Sequence, residues 1–112
     1  MPVPRLKRVY EAPAASDGMR VLVDRLWPRG LSKEAAAVDL WLKAVAPSDA
    51  LRRGFHAHPE RFAEFREAYA AELQGNPALE ELRALVRRRR VTLLYAAKDE
   101  ARNNAVALRD LL

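Results

Sequence analysis

The chain has 112 residues, half of them hydrophobic, and it contains no cysteine. That length fits one domain with a genuine core; the composition excludes disorder, and the lack of cysteine excludes disulfides, thiolate catalysis and cysteine-ligated metals. Twenty Lys and Arg, sixteen of them arginine, stand against fifteen Asp and Glu, a formal +5 that fits phosphorylated or nucleic-acid partners and equally a genome-wide bias towards Arg and Ala.

Arg5 to Glu11 alternates apolar and polar residues, the period of a half-exposed strand. Ala12 to Gly18 has the composition of a loop, and Arg20 to Arg25 follows as a more deeply buried strand. Trp27-Pro-Arg-Gly30 breaks that strand, because Pro28 fixes its own backbone and Gly30 permits a sharp turn. Ser32 is placed to cap a short helix through Ala37. In Val38 to Val45, Leu40 and Leu42 alternate against Asp39, Trp41 and Lys43, which reads as a short strand.

Beyond this point the chain is expected to turn helical. Pro47-Ser48-Asp49 is a start signal for a short helix ending near Gly54. Pro59 fits a first helical position, and Phe62, Phe65, Tyr69 and Leu73 form an amphipathic stripe that Gly75 stops. Asn76-Pro77 opens another helix, with Leu79, Leu82, Leu85 and Val86 facing inward. Val91 to Tyr95 is a buried strand, and Ala101 to Leu112 a terminal helix with Ala105, Leu108 and Leu112 on one side. Strands separated by helices imply right-handed crossovers. The expectation is therefore a single α/β domain over 1–112, with a mostly parallel sheet of three to four strands flanked by helices.

Two runs carry the candidate chemistry: Val21 to Gly30 and Val91 to Asp99. Each starts as an apolar strand and ends in charged, aromatic and turn-forming residues, as strands do when they deliver groups to the carboxyl edge of a sheet. Asp24 is the candidate catalytic or orienting carboxylate. Arg25, Arg29 and Lys98 would hold phosphate or carboxylate, and Trp27 and Tyr95 would form apolar walls. Asp99, capping the final helix, would expose an anion-binding helix start, with Asn103 and Asn104 fixing ligand orientation. The competing reading is an Asp24–Arg pair that only stitches the turn, with Trp27 in the core. A regular strand would aim only one of Asp24 and Arg25 at a given crevice, unless the turn at Trp27 relaxes that limit.

Other features point less sharply. His56-Ala-His58 lacks a recognisable third zinc ligand, so capping of the following helix is the simpler role and no metal is expected there. Ser16, Ser32, Ser48 and Thr92 sit in no nucleophile pattern. Arg87-Arg88-Arg89-Arg90 complements a helix dipole before it suggests nucleic acid. No apolar run approaches the ~20 residues of a membrane helix, and Met1-Pro-Val-Pro-Arg5 has no signal-peptide core, so a cytoplasmic protein without a membrane partner is expected.

The runs Arg20 to Ser32, Trp41 to Ser48 and Val91 to Asp99 with Asn103-Asn104 resemble the YeaO-like proteins, domain-of-unknown-function family 488; His58-Pro59-Glu60-Arg61 resembles the family's helix start. The likeness runs from about Arg5 to Leu112. It implies a small prokaryotic cytosolic α/β domain and brings no agreed activity or catalytic residues with it. Two functions stay open: a site for a small anionic or nucleotide-like ligand, with or without turnover, or a nucleic-acid-associated regulator using the arginine surface. The cofactor, the reaction and the oligomeric state are left unknown.

Overall fold

A computed structural model describes residues 3–112. Four strands, β1 (Arg5–Arg8), β2 (Met19–Leu22), β3 (Leu40–Trp41) and β4 (Val91–Tyr95), form one sheet in the order β1-β4-β2-β3. Every neighbouring pair is parallel, with Leu6 opposite Leu93, Val21 opposite Leu93 and Val21 opposite Leu40. The α/β class and the mostly parallel sheet expected from the alternation of elements are therefore present. All five residues of β4 are buried, as a central strand covered on both faces requires.

The helices are α1 (Lys33–Ala36), α2 (Asp49–Ala57), α3 (Phe62–Leu73), α4 (Pro77–Arg88) and α5 (Asn104–Arg109). One face of the sheet presents Val21, Val23, Val91, Leu93 and Tyr95 to a core built with Phe65, Tyr69, Leu82 and Leu108. The other face presents Leu22 and Leu94 to a smaller cluster with Val9 and Ala36, closed by Trp27, Leu31 and Trp41. The Tyr69 hydroxyl donates to the Val45 carbonyl and so satisfies its one polar atom inside the larger core.

Several boundaries differ from the sequence expectation. The first strand stops at Arg8, opposite Tyr95 where β4 ends, and the second at Leu22, opposite Leu94 and one residue short of that end. Val38 to Val45 holds only two strand residues, followed by a 3-10 turn at Lys43–Val45. Helix α2 runs through Gly54 to Ala57, since Gly54 keeps helical geometry there. Pro59–Arg61 is a 3-10 turn ahead of α3 rather than its first turn. The terminal helix starts at Asn104, with Asn103 as its cap accepting from Val106 N at 3.0 Å. Ser32 and Asn76 cap α1 and α4 as expected.

Candidate functional site

Adjacent parallel strands β2 and β4 end at the same edge, and the chain leaves them in two different turns. Val23 still donates to Leu94 O at 3.2 Å, and beyond that contact the two backbones part. Asp24 fills the gap. Its Oδ2 accepts from Ala96 N at 2.9 Å and its Oδ1 from Asn104 Nδ2 at 3.0 Å. The same Asn104 amide donates to Val23 O at 3.1 Å, while Trp41 Nε1 donates to Asp24 O at 2.7 Å. These bonds tie β2, β3, β4 and α5 together around one residue, with β4 and α5 meeting its carboxylate and β3 its backbone carbonyl.

Above Asp24 lies a cavity of about 420 Å³. Trp27, Phe55 and Phe65 contribute apolar surface to its wall, and Arg25, Arg29 and Lys98 contribute charge. Both Asp24 and Arg25 line it, because β2 has ended at Leu22 and strand alternation no longer applies. Trp27 donates its indole N–H to Leu31 O at 2.7 Å and meets Trp41 edge-on, with ring centroids 5.4 Å apart. Tyr10 closes one side by donating to Arg29 O at 2.9 Å.

The electrostatics separate Asp24 from an ordinary surface carboxylate. Burial raises its pKa, outweighing the opposing hydrogen bonds from Asn104 and Ala96 and the field of His56. The Asp24–Arg stitch does not form: Arg25 Nε turns instead to Pro47 O at 3.3 Å and Asp49 at 4.0 Å. A buried Asp–Arg stitch does exist, but between Asp17 and Arg20 at the opposite edge of the sheet, at 2.6 Å.

Four other candidates behave differently from the expectation. Tyr95 is 2% exposed and belongs to the larger core, so it forms no wall of the cavity. Asp99 does not cap the final helix: its carboxylate accepts from Ala101 N and Arg102 N and pairs with Arg102, closing a turn ahead of α5. No helix start is thereby offered to an anion beside Lys98. Asn103 and Asn104 do line the cavity, yet Asn103 is spent on capping and on Asp99 O, and both N–H groups of Asn104 serve Val23 and Asp24. Asn103 and the amide nitrogen of Asn104 thus position the helix and the carboxylate.

Two cavity residues carry a signal that the sequence reading missed. Arg52 and His56 lie four apart on α2, with Phe55 between them, so one helix face supplies all three. Ending that helix near Gly54 hides this spacing. Arg52 reaches Asp49 through Nη2 at 3.3 Å, while its Nε is buried without a hydrogen-bond partner. His58 points the other way, towards Glu60 at 3.3 Å, and its side chain caps nothing. Among the described residues no group of three or more His, Asp or Glu side chains is arranged to hold a metal ion. No helix there is long and apolar enough to cross a membrane.

Comparison with known proteins adds family identity. A family model described as the inactive DUF488-N3 subclade matches residues 4–112. An uncharacterized protein of Mycobacterium tuberculosis (strain ATCC 25618 / H37Rv) is 48% identical over 108 residues, covering 96% of this chain and 92% of the relative. The uncharacterized protein YeaO of Escherichia coli (strain K12) is 46% identical over 107 residues, covering 95% and 93%. No solved structure matches.

Proposed function

This chain belongs to the YeaO-like proteins of the inactive DUF488-N3 subclade, and from that premise we propose that it is a cytoplasmic protein that binds a small anionic, nucleotide-like ligand at the carboxyl edge of its sheet without turning it over. The observation that carries this reading is a single cavity of about 420 Å³ that sets the Asp24 carboxylate, held only by neutral amides, against Arg25, Arg29, Arg52 and Lys98. Arg25, Arg29 and Lys98 add positive charge on the rim, and Trp27 and Phe55 offer faces to a ring.

Asp24 serves the opposite end of the ligand. Each carboxylate oxygen accepts one bond from the protein, which leaves lone pairs for an N–H or O–H donor of the ligand. The cavity lining holds no Cys, Ser or Thr, so a covalent route would have to run through Asp24, His56, Lys98 or the Tyr10 phenol. Binding without chemistry agrees with the description of the subclade as inactive.

A thermal-shift screen of nucleoside monophosphates, sugar phosphates and small carboxylates tests this, with wild type beside Arg52→Gln and Arg29→Ala. One class should stabilise the wild type by roughly 2.7 kcal/mol at about 100 times its dissociation constant, and both variants should lose the shift. No shift with any class, or an undiminished shift in Arg52→Gln, would overturn the proposal.

A further inference from the structure

At the opposite edge of the sheet from the crevice, Arg5, Arg87, Arg88, Arg89 and Arg90 gather around a surface depression of about 360 Å³. All five are exposed. Arg87 and Arg88 end α4, Arg89 is its cap in an extended conformation, Arg90 leads into β4, and Arg5 opens the neighbouring β1. The change from helix to strand within four residues spreads the consecutive arginines over one end of the molecule, where a continuous helix would have sent them around its circumference.

We propose that this arginine surface is a second binding site, taking the phosphate backbone of a nucleic-acid duplex without reading its sequence. Three observations support it. Most arginines elsewhere are engaged: Arg20 with Asp17, Arg52 with Asp49, Arg66 with Asp110, Arg83 with Glu80 and Arg102 with Asp99. Within the described residues, none of the five donates a side-chain hydrogen bond or enters an ion pair, so phosphate would not have to displace an internal partner. Second, a helix end asks for cations only in its last turn; Arg87 and Arg88 meet that need, and Arg5, Arg89 and Arg90 exceed it. These five charges equal the whole formal excess of +5, so the rest of the chain is formally neutral. Third, the lining between the arginines is Val3, Pro4, Val86 and Val91. With no aromatic ring there, the strongest stacking platform for unstacked bases is missing, which favours a duplex backbone over a single strand.

The scaffold holds this surface in place. Met19 N donates to Arg90 O at 2.9 Å, and a Cβ built on Gly18 would lie 2.5 Å from the same oxygen. The backbone carrying Arg90 is thus pressed against the start of β2, while the Arg90 side chain stays exposed. The site shares no residue with the crevice, so either can fail without the other.

Fluorescence anisotropy with a labelled DNA duplex, a labelled RNA duplex and the matching single strands tests the proposal. If all five arginines meet phosphate, the logarithm of affinity for B-form DNA should fall with the logarithm of salt at a slope of about −4.5, or about 500-fold between 50 and 200 mM. Removing Arg88, Arg89 and Arg90 together (each →Gln) should flatten that slope by about 2.7. The matched triple at Arg53, Arg61 and Arg109 should leave it unchanged, and Arg→Lys at the three patch positions should retain it. Binding of either duplex more tightly than its single strands supports the proposal. The proposal is overturned by absence of duplex binding at 50 mM salt, by equal losses in the two Gln triples, by tighter binding of single strands, or by poly-glutamate competing as well as duplex.

Discussion

Two aspartates bracket β2, and they have opposite surroundings. Asp17, just before the strand, is 3% exposed and meets Arg20 at 2.6 Å, Lys7 at 3.1 Å and the Ala14 N–H at 3.0 Å. Burial pushes its pKa up, but those donors together outweigh it and hold the carboxyl below its ordinary value. Asp24, just after the strand, is bonded by two neutral amides and feels only the field of His56 beyond them, and burial wins. The first carboxylate is fully compensated from within the protein, as a group dedicated to holding the fold should be. The second keeps its field and spare lone pairs directed at a cavity. Burial alone therefore does not mark a site; burial without compensation does.

The sharpest way to break this comparison is to neutralise each carboxylate. Asp17→Asn should cost about 3–5 kcal/mol in urea denaturation, because it leaves the buried Arg20 guanidinium and the Lys7 ammonium without their carboxylate. Gly18→Ala, next in the same turn, should cost roughly 2–3 kcal/mol: its φ of +65° disfavours a side chain, and the new Cβ would strike the Arg90 backbone. Asp24→Asn should cost only about 1 kcal/mol, since one hydrogen bond to the carboxylate is lost while a half-buried charge is relieved. If Asp24→Asn proves as damaging as Asp17→Asn, the two ends of β2 do the same job.

Acidity sharpens the contrast through the sign of each effect. Asp17 has a lowered folded pKa, so the stability it provides is present above the unfolded value near 3.8 and is lost as pH falls through the folded value. Asp24 has a raised folded pKa, so its ionisation erodes stability as pH rises from about 3.8 through the folded value. Denaturation curves across pH 2–7 should therefore show the wild-type advantage over Asp17→Asn shrinking in acid. The wild type should meanwhile gain on Asp24→Asn as pH falls towards 3.8.

The most specific expected effect is on binding. Asp24→Asn should weaken a nucleoside monophosphate about tenfold, the loss of one charge-assisted hydrogen bond, and should leave inorganic phosphate bound as well as before. Calorimetric titration of both probes separates the donor-binding end of the crevice from its anion-binding rim. Equal weakening of the two would show that Asp24 only supports the walls.

Much of this architecture was legible in the chain because it is local. The apolar runs at Val21 and Val91, the caps at Ser32 and Asn76, and the Phe62 to Leu73 stripe depend on residues within a turn or a strand of one another, where periodicity and backbone preference operate. Asp24, Trp27 and Arg29 were recognisable for the same reason, as polar and aromatic residues placed just past a buried strand. Tertiary structure decided what those groups meet. Asp17 with Lys7 and Arg20, Asp24 with Ala96 and Asn104, and Arg52 and His56 on the crevice wall are joined by the parallel pairing of β4 with β1 and β2, the docking of α5 on that sheet and the packing of α2 on α3. Which carboxylate is neutralised and which is left open depends on charge and burial summed across residues up to 80 positions apart. No short stretch of sequence encodes that sum.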